Sequence, residues 1–293
     1  YFALVRHAPG AVLLDAGRPQ AGRGRYDLLS AWPLATYAAE AHESGTRFFQ
    51  RLRAGLDQLG RAEAPDGCEL PFTGGLIGYL SYDFGRRLER LPEQAADDLQ
   101  LPDARFGLYA WALVSDHQRQ TSQLLFHPAL ADSERERLIQ LFEAGHAAPC
   151  PPFSLRQAFR ADQSQDDYRH AIQRIQAYIQ AGDCYQVNFA QRFQAPCQGD
   201  AWSAYQALRA ACPTPFAGFQ ALEGSDAILS LSPERFLQVS QGRVETRPIK
   251  GTRPRGTSTV DDQANADELV GSAKDRAENL MIVDLLRNDL GRS

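Results

Sequence analysis

The chain has 293 residues, 43% apolar and 23% charged, enough to bury a large core and unlike a disordered or collagen-like polymer. Its 31 basic and 36 acidic residues leave a net charge of −5, which argues against a nucleic-acid footprint. No window approaches the ~18 uninterrupted apolar residues of a membrane span, and no signal-peptide pattern follows Tyr1-Phe2-Ala3-Leu4-Val5.

In chain order, Ala11-Val12-Leu13-Leu14 and Tyr26-Asp27-Leu28-Leu29 predict two strands joined by a polar, turn-rich loop. From His42 to Gly60, Phe48, Phe49, Leu52, Leu56 and Leu59 recur at helical spacing. Residues 71–85 carry four glycines among aromatic and aliphatic side chains. They match no phosphate loop and predict a strand that bends or approaches another backbone closely. Residues 105–127 read as two strands around Asp116-His117-Gln118-Arg119, and 131–145 as a helix. Three prolines at 149, 151 and 152 reject helix and sheet interiors and divide the chain into a first part, 1–150, and a second, 151–293.

In the second part, Asp162 or Ser164 caps a helix with Tyr168, Ile172, Ile175 and Ile179 on one stripe, stopped by Gly182. Cys184 to Phe193 alternates as a strand, with Tyr185, Val187, Phe189 and Phe193 on its apolar face and Gln186, Asn188 and Arg192 opposite. Residues 226–249 read as consecutive strands turning at Gln241-Gly242, and residues 265–290 as one long helix ending near Gly291. The fold class is α+β, with antiparallel sheets packed against helices.

The five cysteines, Cys68, Cys150, Cys184, Cys197 and Cys212, form no C-x-x-C pair. They suggest neither a zinc site nor a disulfide framework, and the expectation is a reduced, cytoplasmic protein. Of the 31 basic residues only Lys250 and Lys274 are lysines, and a lysine, unlike arginine, can become a neutral nucleophile.

Three segments carry residue types suited to chemistry. Glu234, in Leu231-Ser232-Pro233-Glu234-Arg235-Phe236, enters an apolar strand after a proline and suits general-acid work, although an exposed pair with Arg235 is the commoner arrangement. Lys250 stands where a strand breaks into Gly251-Thr252-Arg253-Pro254-Arg255-Gly256. Flanking arginines there would favour its free amine and bind an anionic substrate. Asp275 and Glu278, three apart on a helix, can hold magnesium, against the alternative of a solvated Lys274–Glu278 pair.

Taken together, Gly182-Asp183-Cys184-Tyr185-Gln186-Val187-Asn188, Ser232 to Phe236, Pro248-Ile249-Lys250-Gly251-Thr252 and Ala277 to Asp289 resemble the chorismate-utilising enzymes. Arg25-Tyr26-Asp27 and Phe72-Thr73-Gly74-Gly75 extend the likeness to the first half. Within the family the chain is most similar to the aminodeoxychorismate synthase branch, because anthranilate synthases carry Ala at the position of Lys250.

The resemblance implies an anthranilate synthase component I-like fold. It implies amination of chorismate to 4-amino-4-deoxychorismate for 4-aminobenzoate and folate synthesis, with ammonia from a glutamine amidotransferase subunit. Lys250 would be the nucleophile and Glu234 the general acid. Gln186, Gly251 and Thr252 would contact substrate, Gln186 standing where water-activating relatives have lysine. Glu278, with Asp275 beside it, would bind Mg2+. The alternatives are an anthranilate synthase, or a non-catalytic relative that binds an amino acid. Family members continue past the point matching Ser293, so the resemblance implies a truncated chain that is inactive alone. Ala16 stands where many relatives have a serine near the regulatory tryptophan, which weakens the expectation of feedback control.

Overall fold

The fold is described from a computed structural model covering residues 1–17, 24–64 and 70–292. Strands β1 (Val12–Asp15) and β2 (Tyr26–Ser30) form as their patterning predicts, whereas most of the loop joining them lies outside the described residues, as does Cys68. They continue through β3 (Ala35–Ala38), β4 (Gly75–Leu80), β5 (Ala104–Tyr109), β6 (Trp111–Asp116) and β7 (Thr121–Phe126). The second half adds the two-residue strands β8 (Ser154–Leu155), β9 (Arg160–Ala161), β10 (Phe193–Gln194) and β11 (Cys197–Gln198). Longer strands follow at β12 (Phe216–Ala221) and β13 (Ala227–Ser232), then the hairpin β14 (Gln238–Ser240) and β15 (Arg243–Glu245).

A six-stranded antiparallel sheet in the order β13-β12-β1-β2-β6-β7 forms the centre, and β3-β5-β4 forms a smaller sheet. Period-two alternation sorts each central strand between two cores. Leu13, Leu29, Trp111 and Leu113 face one core with Phe2, Leu138, Trp202 and Tyr205 from helices. Val12, Leu28, Ala112 and Val114 face the other with Ile77 and Tyr109 of the smaller sheet. Because β12 pairs with β1, with Val12 opposite Gln220, the central sheet runs across the proline stretch at 149–152. That stretch is itself tied down, since Arg6 Nη2 donates to the Ala148 and Pro149 carbonyls at 3.0 and 3.1 Å.

The helices are α1 (Phe2–Val5), α2 (Gly45–Leu59), α3 (Asp132–Ala144), α4 (Gln165–Ala181), α5 (Ala201–Ala211), α6 (Thr259–Gly271) and α7 (Ala273–Leu290). Ser164 caps α4 by accepting the Asp167 N–H at 3.1 Å, and Gly182 ends it in the left-handed conformation. Among the glycines of 71–85, Gly78 answers to close approach: a Cβ there would sit 2.0 Å from the Arg105 carbonyl oxygen.

Three expectations change. Residues 105–127 hold three strands rather than two, because the chain leaves the smaller sheet after Tyr109 and enters the central sheet at Trp111. The stretch 265–290 is not one helix, because Ser272 interrupts it and caps α7 by accepting the Asp275 N–H at 3.3 Å. The strand expected over 184–193 is reduced to Phe193–Gln194, paired with Arg160–Ala161. A strand needs a ladder partner, and none among the described residues pairs with 184–191, the Arg192 carbonyl accepting only the Asp162 N–H at 3.0 Å. Its apolar face points outward, with Tyr185 57% and Phe193 56% exposed.

An ionic cluster ties α5 to the central sheet. The Asp15 carboxylate, 1% exposed, accepts from the Arg209 Nη2 at 3.0 Å, the Tyr205 hydroxyl at 3.1 Å and the Gly17 N–H at 2.6 Å. Arg209 Nη2 also lies 4.0 Å from Asp27, whose carboxyl is raised above its usual range chiefly by burial. Removing the cation leaves a buried carboxylate without its counter-charge. Arg209→Met is therefore expected to lower unfolding stability by on the order of 3 kcal/mol. Urea denaturation checks this, and a loss under about 1 kcal/mol would mean that the two neutral donors suffice.

Candidate active site

Strand β13 delivers Ser232, and the chain then turns through Pro233 to Glu234. The Ser232 hydroxyl closes this turn locally: it donates to the Glu234 carbonyl at 3.0 Å and accepts the Glu234 N–H at 3.2 Å. The Glu234 side chain reaches across to the next segment, where Oε1 accepts the Ile249 N–H at 2.8 Å. The carboxylate is thereby fixed one residue from Lys250. The expected Glu234–Arg235 pair does not form; Arg235 pairs with Glu245, and Arg247 reaches the same carboxylate at 2.9 Å. The hairpin between these segments turns at Gln241 and Gly242, with φ of 50° and 73°, the two left-handed residues of a tight β-turn.

Beyond Lys250, which is half-buried, the backbone packs against the α6–α7 junction. Gly251 has φ of +75°, and a Cβ there would come within 2.8 Å of Leu269 Cδ1 and 3.0 Å of Asp275 Cβ. Only glycine meets both demands. Thr252 is exposed beside it. Arg253 Nη2 lies 3.0 Å from the Asp275 carboxylate, and its Nε lies 2.8 Å from Glu268. The Ser272 hydroxyl, and after it the Arg253 guanidinium, hold the Asp275 carboxyl below its usual range. Glu278 lies three residues further along α7, half-buried and with no ion pair to Lys274.

Hydrogen bonds, ion pairs and packing thus join Glu234, Ile249–Lys250, Gly251, Arg253 and Asp275 into one continuous group. Gln186 stands outside these bonds. Its side-chain oxygen is buried without a hydrogen-bond partner, an acceptor left open on the 184–192 segment.

A profile of the family described as chorismate binding enzyme matches residues 12–293. The chain belongs to that family. It is 43% identical to aminodeoxychorismate synthase component 1 of Salmonella typhimurium over 304 residues, covering all of this chain and 65% of that protein. It is 39% identical to anthranilate synthase component 1 of Thermus thermophilus over 227 residues, 76% of this chain and 49% of that one. The crystal structure of anthranilate synthase component I from Streptococcus pneumoniae superposes with a TM-score of 0.75 at 25% identity, over 94% of this chain and 63% of that chain. The fold is therefore anthranilate synthase component I-like. The chain spans about two thirds of the length of the aminodeoxychorismate synthases it matches.

In this member of the chorismate binding enzyme family, the arginines around Lys250 are not left free to bind an anionic substrate as their spacing suggests. Arg247, Arg253 and Arg255 each face a carboxylate, Arg255 holding Asp262 at 2.6 Å. Their charge is balanced within the fold, and the role that spacing concealed is that of Arg253 and Arg255 in anchoring the loop to α6. The one signal available was acidic: Asp262, Glu268 and Asp275 follow the arginines at helical positions.

Magnesium places definite demands on this geometry. The described residues contain no cluster of three potential ligand side chains. Magnesium takes one or two carboxylates and completes its octahedron with water or substrate oxygens. Glu278 and Asp275, one helical turn apart on α7, are the carboxylates the helix offers for such an ion, Asp275 being also paired to Arg253.

Proposed function

We propose that the whole protein to which this chain belongs aminates chorismate at carbon 4, giving 4-amino-4-deoxychorismate. The observation that carries the reading is the Glu234 carboxylate held at 2.8 Å on the amide next to Lys250. That contact holds the acid against the backbone one residue before Lys250. In this reaction the Lys250 amine attacks carbon 2 of chorismate, the ring double bonds shift, and the carbon 4 hydroxyl leaves as water. Glu234 supplies the proton for that departure, turning a poor leaving group into a good one. Ammonia then adds at carbon 4, the double bonds shift back, and the Lys250 amine is expelled from carbon 2.

Gly251 and Thr252 present backbone and hydroxyl groups to the substrate beside the lysine. Gln186, an amide, cannot activate water at neutral pH, which leaves ammonia as the incoming nucleophile. Glu278 would hold Mg2+ with Asp275 beside it, and the ion would neutralise the ring carboxylate of chorismate. A glutamine amidotransferase subunit would deliver the ammonia, in a cytoplasmic route to 4-aminobenzoate and folate. The 41–43% identity to three aminodeoxychorismate synthases supports this branch of the family. Lys250 in place of the alanine of the anthranilate branch supports it further.

The full-length protein, incubated with chorismate, an ammonium salt and Mg2+ without any amidotransferase, is expected to consume chorismate. Absence of turnover in a folded, full-length sample would favour the non-catalytic relative.

A further inference from the structure

We infer that Arg253 is a positioning residue that clamps the Lys250–Thr252 turn onto the start of α7. The inference rests on the reading of Lys250 and Glu278 proposed above. Arg253 is the residue of this loop that touches two helices at once, through Glu268 of α6 at 2.8 Å and Asp275 of α7 at 3.0 Å. The backbone two residues earlier already abuts Asp275, where Gly251 leaves no room for a Cβ. A second tether holds the far end of the loop: Arg255 and the Gly256 N–H both bond Asp262, the latter at 2.9 Å. Lys250 therefore hangs from a loop pinned downstream to the helix that carries Glu278. A guanidinium can span two carboxylates in this way, whereas an ammonium is a single point charge.

The test compares Arg253→Met, Arg253→Lys and Glu268→Gln in the full-length enzyme. Arg253→Met is expected to speed amide hydrogen exchange across residues 250–256 by about tenfold. Its kcat with ammonium is expected to fall by about tenfold with chorismate KM nearly unchanged. Arg253→Lys should fall between Met and wild type. Glu268, 66% exposed on α6, can be changed without harm to packing. Its Gln variant should give part of the same exchange increase and add nothing to Arg253→Met.

Unchanged exchange at 250–256 in Arg253→Met overturns the clamp, as does a loss confined to KM. Full turnover by Lys250→Ala would instead sink the catalytic reading, and the exchange measurement would still decide the clamp.

Discussion

Lys250→Ala in the full-length enzyme is expected to lower kcat for aminodeoxychorismate formation by about a thousandfold, the scale of losing one chemically acting side chain. Chorismate KM should change little, because in the proposed reaction the amine acts on the ring and not in holding the ground state. The fold should tolerate the change, since Lys250 makes no ion pair among the described residues. With the lysine gone, ammonia can attack carbon 2 directly, and traces of the ortho-amino product are expected. Lys250→Arg should be as impaired as Lys250→Ala, because a guanidinium keeps the charge and lacks a nucleophilic lone pair at neutral pH. Steady-state kinetics on the pair decide the role. Near-normal turnover by the arginine variant alone would mean that the position supplies positive charge and that covalent catalysis is wrong.

Glu278→Gln is the second large effect. The amide preserves size and helix position but removes the charge a hard divalent cation requires. Turnover at saturating Mg2+ is expected to drop by at least about a hundredfold, with circular dichroism and melting behaviour in the absence of metal unchanged. Magnesium should raise the melting temperature of wild type and fail to do so in the variant. An unaltered magnesium titration would return Glu278 to an ordinary solvated position on α7.

Much of the first half was legible because its strands are packed on both faces. Leu13 and Leu29 go to one core while Val12 and Leu28 go to the other, so each strand shows as an unbroken apolar run. The hairpin turn at Gln241-Gly242 was equally readable, and the cap of α4 was narrowed to Asp162 or Ser164, of which the structure uses Ser164, because each rests on a local conformation that its residues favour. Long-range pairing was not: nothing in Phe216–Ala221 announces that it will lie beside β1. Alternation misled at 184–193 because it describes a face without naming what covers it. At the α6–α7 break, Ser272-Ala273-Lys274-Asp275 has the spacing of a capping box, a signal outweighed by the long helical run around it. For the site, the residue types near Lys250 were legible. Their partners were not, because an arginine's counter-ion is chosen by tertiary geometry: Arg235 takes Glu245 in place of its neighbour Glu234.

The position of the new amino group tests the central claim most directly. Full-length enzyme with chorismate, an ammonium salt and Mg2+ is run to partial conversion, and the product is identified by magnetic resonance and mass. Amination at carbon 4 with pyruvate retained, giving 4-amino-4-deoxychorismate, is the predicted result. Formation of the ortho-amino product, anthranilate, as the main species would contradict it and assign the protein to the carbon 2 chemistry of its anthranilate-forming relatives.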